Sequence, residues 1–150
     1  MNRLFVNTVP FLLSFIVSAP AFSADKPYSW KNIFPTLPQI TAAELKQQQE
    51  TVVLVDVRPK FEYEQHHKAG VKHISFSSRM FMLQMENLVN SNQGKTIVVY
   101  CESTNCVKSY RAVDKCHKAQ LKNVVLFDLQ EELAAAKQDA IYSQLNASQF

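Results

Sequence analysis

Three short runs rich in β-branched residues, Thr51-Val-Val-Leu-Val-Asp-Val57, Thr96-Ile-Val-Val-Tyr100 and Asn123-Val-Val-Leu-Phe127, stand apart in this 150-residue chain. Runs this apolar, without alternation of polar residues, are typical of strands buried on both faces. The stretches between them carry helical patterning, and strands separated by helices pair in parallel, with helices on both faces of the sheet. The expected fold class is therefore α/β, with a central, mainly parallel sheet. The length allows one domain.

The intervening elements can be placed from local signals. Thr41 and Glu44 have the spacing of a capping box, which predicts a short helix over Ala42–Gln49. After Pro59, Lys60–His67 suits one or two helical turns ended by Gly70, and Lys72–Ile74 a short strand. Ser77 or Ser78 is placed to cap a helix reaching about Asn90, with Met80, Phe81, Leu83, Leu88 and Val89 as its apolar surface. A helix over Val107–Leu121 would bury Ala112, Val113, Cys116 and Ala119, and a last helix is expected from about Gln130 to Tyr142.

The N-terminus differs from the rest. Arg3, an apolar stretch from Leu4 to Val17, and then Ser18-Ala-Pro-Ala-Phe-Ser-Ala24 have the layout of a secretory signal peptide over residues 1–24. Cleavage after Ser23, Ala24 or Ala21 is compatible with the small residues there. A retained anchor is disfavoured, because a span needs about 20 apolar residues and this run is broken by Asn7, Thr8 and Pro10. No cysteine lies near the cleavage region to carry a lipid. The expected location is exported, in the periplasm. Residues 25–38, with Pro27, Pro35, Pro38, Tyr28, Trp30 and Phe34, read as an extended lead-in that packs on the domain. The domain itself is expected over 39–142, and 143–150 form a C-terminal tail.

Charge excludes one large class of partner. Losing residues 1–24 removes a single basic residue, Arg3, from a chain of formal net charge +3. No Lys/Arg cluster with interleaved aromatics occurs, so nucleic acid is not an expected partner. The three cysteines, Cys101, Cys106 and Cys116, allow at most one intramolecular disulfide.

Cys101 closes the second apolar run and opens a polar loop, Cys101-Glu-Ser-Thr-Asn-Cys106, that hands over to a helix. Backbone N–H groups and the helix dipole favour a thiolate there. In open parallel sheets ligands bind beyond the carboxyl ends of the strands, so Asp56-Val-Arg58 and Cys101 are placed to share a pocket. Cys101 is the candidate nucleophile. Glu102 adds a negative charge beside it that would raise its pKa, with Lys108 and Arg111 available to offset this. Cys106 has two readings, a resolving thiol or a small residue at the helix start. A disulfide requires Cα atoms within about 7 Å. Cys116 lies on an apolar helical face and reads as core.

The chain resembles a known family. Val53-Leu-Val-Asp-Val-Arg58, Glu62-Tyr63, His67 three residues before Gly70, Lys95-Thr-Ile-Val-Val-Tyr-Cys101 and Asn123-Val-Val-Leu-Phe127 are similar, in order and spacing, to the landmarks of a single rhodanese domain. The resemblance covers about residues 39–140. It implies the rhodanese-like fold and a cysteine, Cys101, that takes a sulfane sulfur from a thiosulfate-like or persulfide donor. The outer sulfur then passes to a thiol, of a small molecule or of a protein, or to another nucleophile. Backbone amides of Glu102, Ser103, Thr104, Asn105, Cys106 and Val107 would cradle the persulfide, and no cofactor is implied.

The loop departs from the family pattern, with Thr104 and Cys106 where a glycine and an arginine are usual and Leu129-Gln130 replacing a glycine pair. Asn105 is the residue most tolerant of positive φ in this loop. A second cysteine at the loop's end resembles that of some exported rhodanese-like proteins. Arg58 has two readings, an anion-binding residue or, as the resemblance favours, a structural one with Asp56 and Glu62 as partners. No metal site is expected from His66, His67 and His73, nor from Met80, Met82 and Met85, which read as helix packing. Two other classes remain open: a thiol–disulfide redox protein using Cys101 and Cys106, and a catalytically silent binding module.

Overall fold

The computed structural model describes residues 29–102 and 106–137. After a 3-10 turn at Trp30–Asn32 the chain forms α1 (Ala42–Gln47), β1 (Val52–Asp56), α2 (Lys60–Gln65) and β2 (Lys72–His73). It continues with α3 (Phe81–Ser91), β3 (Thr96–Tyr100), α4 (Lys108–Lys118) and β4 (Val124–Leu126), and residues 129–137 are again helical. The four strands form one parallel sheet in the order β2-β1-β3-β4. The central pair is in register from Val52 opposite Thr96 to Asp56 opposite Tyr100.

Strand side chains alternate between faces, and each face has its own core. Val55, Val57, Ile97, Val99, Val124 and Leu126 meet Phe81 and Met85 of α3 and Ala112, Val113 and Cys116 of α4. Val98, Tyr100 and Phe127 pack with Ile40 and Val71, against Leu45 of α1 and Tyr63 of α2. Both faces are thus covered by helices, as the unbroken apolar runs require. Each fully buried Val or Leu contributes roughly 1.5–3 kcal/mol relative to leaving it in water.

The capping box forms as its spacing predicts: Thr41 Oγ1 accepts from the Glu44 amide at 3.2 Å, and the Glu44 carboxylate accepts from the Thr41 amide at 2.9 Å. The Thr41 amide and, secondarily, the Thr41 hydroxyl, both donating to the Glu44 carboxylate, hold it below its ordinary pKa. The lead-in residues Trp30, Phe34 and Leu37 pack against the α3/α4 core; Tyr28 lies outside the described residues. Leu126 donates to the Pro38 carbonyl and accepts from the Ile40 amide, both at 2.9 Å. Gln39 therefore bridges Leu126 in parallel and covers the free edge of β4, an edge that would otherwise be open to pairing with another chain.

Several expectations are corrected. The α3 helix starts at Phe81, later than a Ser77 or Ser78 cap predicts, because Ser78 serves a preceding turn. Its hydroxyl accepts from the Met80 amide at 3.1 Å, while its carbonyl accepts from Phe81. The core face of α3 is Phe81, Met85, Leu88 and Val89, at helical spacing. Met80 and Leu83 point away from it, 52% and 47% exposed. Met82 packs at the margin of the core.

The α4 helix ends at Lys118, so Ala119 is its exposed cap rather than part of the core. Leu121 donates back to Cys116 and Gln120 to His117, with Gln120 at φ +66°. This left-handed closing turn is usually made by glycine. On its buried face α4 carries Ser109 and Tyr110 as well as the expected residues, and the Tyr110 hydroxyl donates to the Asp128 carboxylate. Burial, with that bond, raises the Tyr110 pKa.

Candidate active site

The end of β3 delivers Cys101 to the carboxyl edge of the sheet, only 4% exposed. Its sulfur is bonded to that of Cys106, with S–S 1.96 Å and Cα–Cα 6.2 Å. The loop thus brings the two cysteines inside the separation a disulfide needs. Ser103, Thr104 and Asn105, the centre of the expected cradle and the site of the expected positive φ, lie outside the described residues. Val107 caps α4 with its backbone in the helical region.

Beside the loop, β1 ends in a buried ion pair. Asp56 is fully buried and Arg58 is 7% exposed. Arg58 Nε donates to both Asp56 oxygens, at 3.1 and 2.9 Å, and Nη2 to Oδ2 at 2.6 Å. The Arg58 amide also donates to Asp56 Oδ1 at 2.9 Å. These bonds to Asp56 raise the Arg58 pKa against the opposing effect of desolvation. Backbone bonds hold this corner in place, with Val57 donating to the Tyr100 carbonyl at 3.2 Å and Phe76 to that of Val57 at 3.1 Å.

Arg58 does more than pair with Asp56. Nη2 donates to the His66 carbonyl at 2.6 Å, at the end of α2, and lies 3.4 Å from Glu102 Oε2. Glu62 is not among its ion-pair or hydrogen-bond partners in the described residues, and Glu102 takes that place. Lys108 and Arg111 make no ion pair with Glu102 among the described residues. Through Nε and Nη2 the guanidinium ties β1, α2 and the start of the cysteine loop together.

Around this corner the Tyr63 ring stacks between His67 and His73, at centroid separations of 4.0 and 4.4 Å. His73 Nε2 lies 2.9 Å from the Arg58 carbonyl, which can only accept, so Nε2 carries the proton. The histidines are therefore held by ring stacking and backbone bonds. Among the described residues, no group of three or more His, Cys, Asp or Glu is placed to hold a metal ion. No helix there is long and apolar enough to cross a membrane.

Two partnerships were not foreseeable from spacing: Glu102 with Arg58, 44 positions apart in a 150-residue chain, and Tyr110 with Asp128. Tyr100 is also notable. It is 1% exposed, its hydroxyl has no hydrogen-bond partner among the described residues, and burial raises its pKa above the ordinary tyrosine value. Cys116 is fully buried and unbonded, with its thiol pushed up to about 12 by burial.

Chemically, the arrangement offers one exchangeable sulfur pair at the carboxyl edge of a parallel sheet. In the disulfide state Cys101 cannot attack a sulfur donor. After two-electron reduction it becomes a thiol beside the residues leading into α4.

The rhodanese-like domain model matches residues 41–129, from the capping box through β4. Similar solved structures include a rhodanese-related protein from Thermoplasma volcanium, at 25% identity and TM-score 0.49, covering 65% of this chain and 92% of that one. Another is the BH2092 protein from Bacillus halodurans, at 18% identity and TM-score 0.49, covering 65% and 70%. A third is a protein from Saccharomyces cerevisiae, at 18% identity and TM-score 0.44, covering 69% and 97%. No curated protein sequence matches. With the family model spanning more than half of the chain and all four strands, this chain belongs to the rhodanese-like domain family.

Proposed function

We propose that this protein is a sulfurtransferase-type carrier that holds sulfane sulfur as a persulfide on Cys101 and passes it to a thiol or other nucleophilic acceptor. The observation that carries this reading is the position of Cys101, at the end of the central β3 and within bonding distance of Cys106. The Cys101 thiolate attacks the outer sulfur of a thiosulfate-like or persulfide donor, expels sulfite or a thiolate, and becomes the persulfide. An acceptor thiolate that attacks the outer sulfur takes it away and returns the Cys101 thiolate. Alternatively, the Cys106 thiolate attacks the inner sulfur, expels hydrosulfide and leaves the Cys101–Cys106 disulfide. A dithiol reductant then restores both thiols.

A disulfide in this loop also supports export to an oxidising compartment, in keeping with the N-terminal signal-like segment. It equally favours a second reading, a thiol–disulfide redox protein using the same pair. Intact mass after mild reduction and incubation with thiosulfate, with a low-molecular-weight persulfide as second donor, separates the two. A species one sulfur atom heavier, absent in Cys101→Ser, is expected for the carrier. Reversible cycling of the disulfide with no sulfur adduct from either donor would replace that reading with the redox one.

A further inference from the structure

A cavity lies on the α1/α2 face of the sheet, lined by Leu45, Val52, Leu54 and Phe127 of that face's core cluster. It has a volume of about 600 Å³ and opens beside the first residues of β1, between α1 and the segment leading into β2. That volume falls within the range of about 300–1,000 Å³ usual for small-molecule sites. It runs along this face from Lys95, just ahead of β3, to Phe127, whose amide donates to the Val99 carbonyl.

Its lining is divided by chemistry. The floor is apolar, from Leu45, Val52, Leu54 and Phe127. Around it stand Lys46, Lys68, Lys72 and Lys95, contributed by three stretches of the chain, and no Asp or Glu lines the cavity. Among the described residues these four lysines form no ion pair, a state they share with Lys108, Lys115, Lys122 and Lys137; what sets them apart is that they gather around one apolar surface. All four are exposed, and four positive charges around an apolar surface raise the local concentration of anions there.

A small cleft adjoins the cavity. Leu45, Leu54, Lys68 and Phe127 also line this cleft, with Tyr100, the buried tyrosine whose hydroxyl lacks a partner among the described residues. The Lys68 ammonium stands 5.7 Å from the centre of the Tyr100 ring. A buried hydroxyl left without a hydrogen bond is destabilising.

We infer that this cavity binds an amphipathic monoanion with a single aliphatic tail, its head held among the four lysines and its tail laid on the Leu45, Leu54 and Phe127 floor. Lysine ammonium groups act as compact point charges, and a carboxylate is the simplest anionic head that carries a single aliphatic tail. The apolar floor requires the tail, because charge alone would leave it in contact with water.

The test is a titration of the full chain with decanoate by calorimetry and by amide NMR. Acetate serves as the head without the tail, and decyltrimethylammonium as the tail with the opposite charge. Saturable one-site binding of decanoate is expected, at least tenfold tighter than either control, with amide shifts centred on Leu54, Gly70 and Phe127. The exposed pair Lys72→Glu with Lys95→Glu should weaken it at least tenfold with an unchanged circular dichroism spectrum. Ala42→Trp should weaken it by filling the mouth of the cavity. Equal binding of acetate or of decyltrimethylammonium, absence of saturable decanoate binding, or shifts centred elsewhere on the wild-type protein would overturn the inference. The wild-type titration and shift map keep the test decisive if a variant fails to fold.

Discussion

The Glu102 carboxylate stands 3.4 Å from the Arg58 guanidinium, so the residue after Cys101 is tied to the end of β1. The negative charge that would burden a Cys101 thiolate is thereby set against a cation already bound to Asp56. The two contacts differ in strength, because Asp56 is fully buried and doubly bonded while the Glu102 side chain is 23% exposed.

Arg58→Leu is therefore expected to destabilise the fold by about 3–5 kcal/mol, since it strands the buried Asp56 charge. Glu102→Gln should cost below about 1 kcal/mol. Urea unfolding of both variants checks the contrast, and equal losses would contradict the ranking of the two contacts.

The Cys101–Cys106 bond closes a short loop, for which the chain-entropy relation gives about 2 kcal/mol of stabilisation. Wild-type protein should lose that amount on reduction. Cys106→Ser should unfold at the same midpoint with or without reductant, and thermal melts with and without a phosphine reductant measure both.

Cys116 is buried as a neutral thiol, its pKa pushed up to about 12 from an ordinary 9.0. Above pH 9 the unfolded chain loses this proton while the folded chain keeps it, so stability is complete below pH 9 and falls between 9 and about 12. The slope from one such group reaches at most about 1.4 kcal/mol per pH unit. Cys116→Ala should fall less steeply than wild type in urea midpoints between pH 9 and 10. Parallel curves would show that the thiol does not titrate in this way.

Gln120 holds φ +66° on an exposed position after α4. A side chain in this conformation costs about 1 kcal/mol or more, partly offset in a glycine variant by the freer unfolded chain. Gln120→Gly is expected to raise stability by roughly 0.5 kcal/mol, read as a higher urea midpoint at constant slope. A lower midpoint would mean that the Gln120 side chain makes a compensating contribution.

Much of the architecture is legible locally. The Thr41/Glu44 box, the unbroken apolar runs of β1 and β3, and the apolar face that buries Cys116 depend on neighbours a few residues apart, where spacing and propensity act directly. The start of α3 is not legible in this way, because Ser78 can cap either a helix or a turn and the placement of Phe81 and Met85 in the core selects the turn. The closing turn of α4 is hidden for a similar reason: Gln120 carries no glycine signal, and the bonds from Gln120 and Leu121 compensate its strained backbone.

Sequence patterning is sufficient for the parallel α/β class, for the position of Cys101 at a strand end and for its candidacy as the reactive sulfur. These follow from hydrophobic burial and the alternation of elements. The folded chain adds the partners: Cys106 bonded to Cys101, Glu102 turned to Arg58, and four lysines gathered around one apolar floor. Such contacts join residues whose separation along the chain carries no periodic signal. They arise when the packed sheet and its helices fix which side chains share a corner, and the charges and sulfurs there settle against whatever partners that packing brings near.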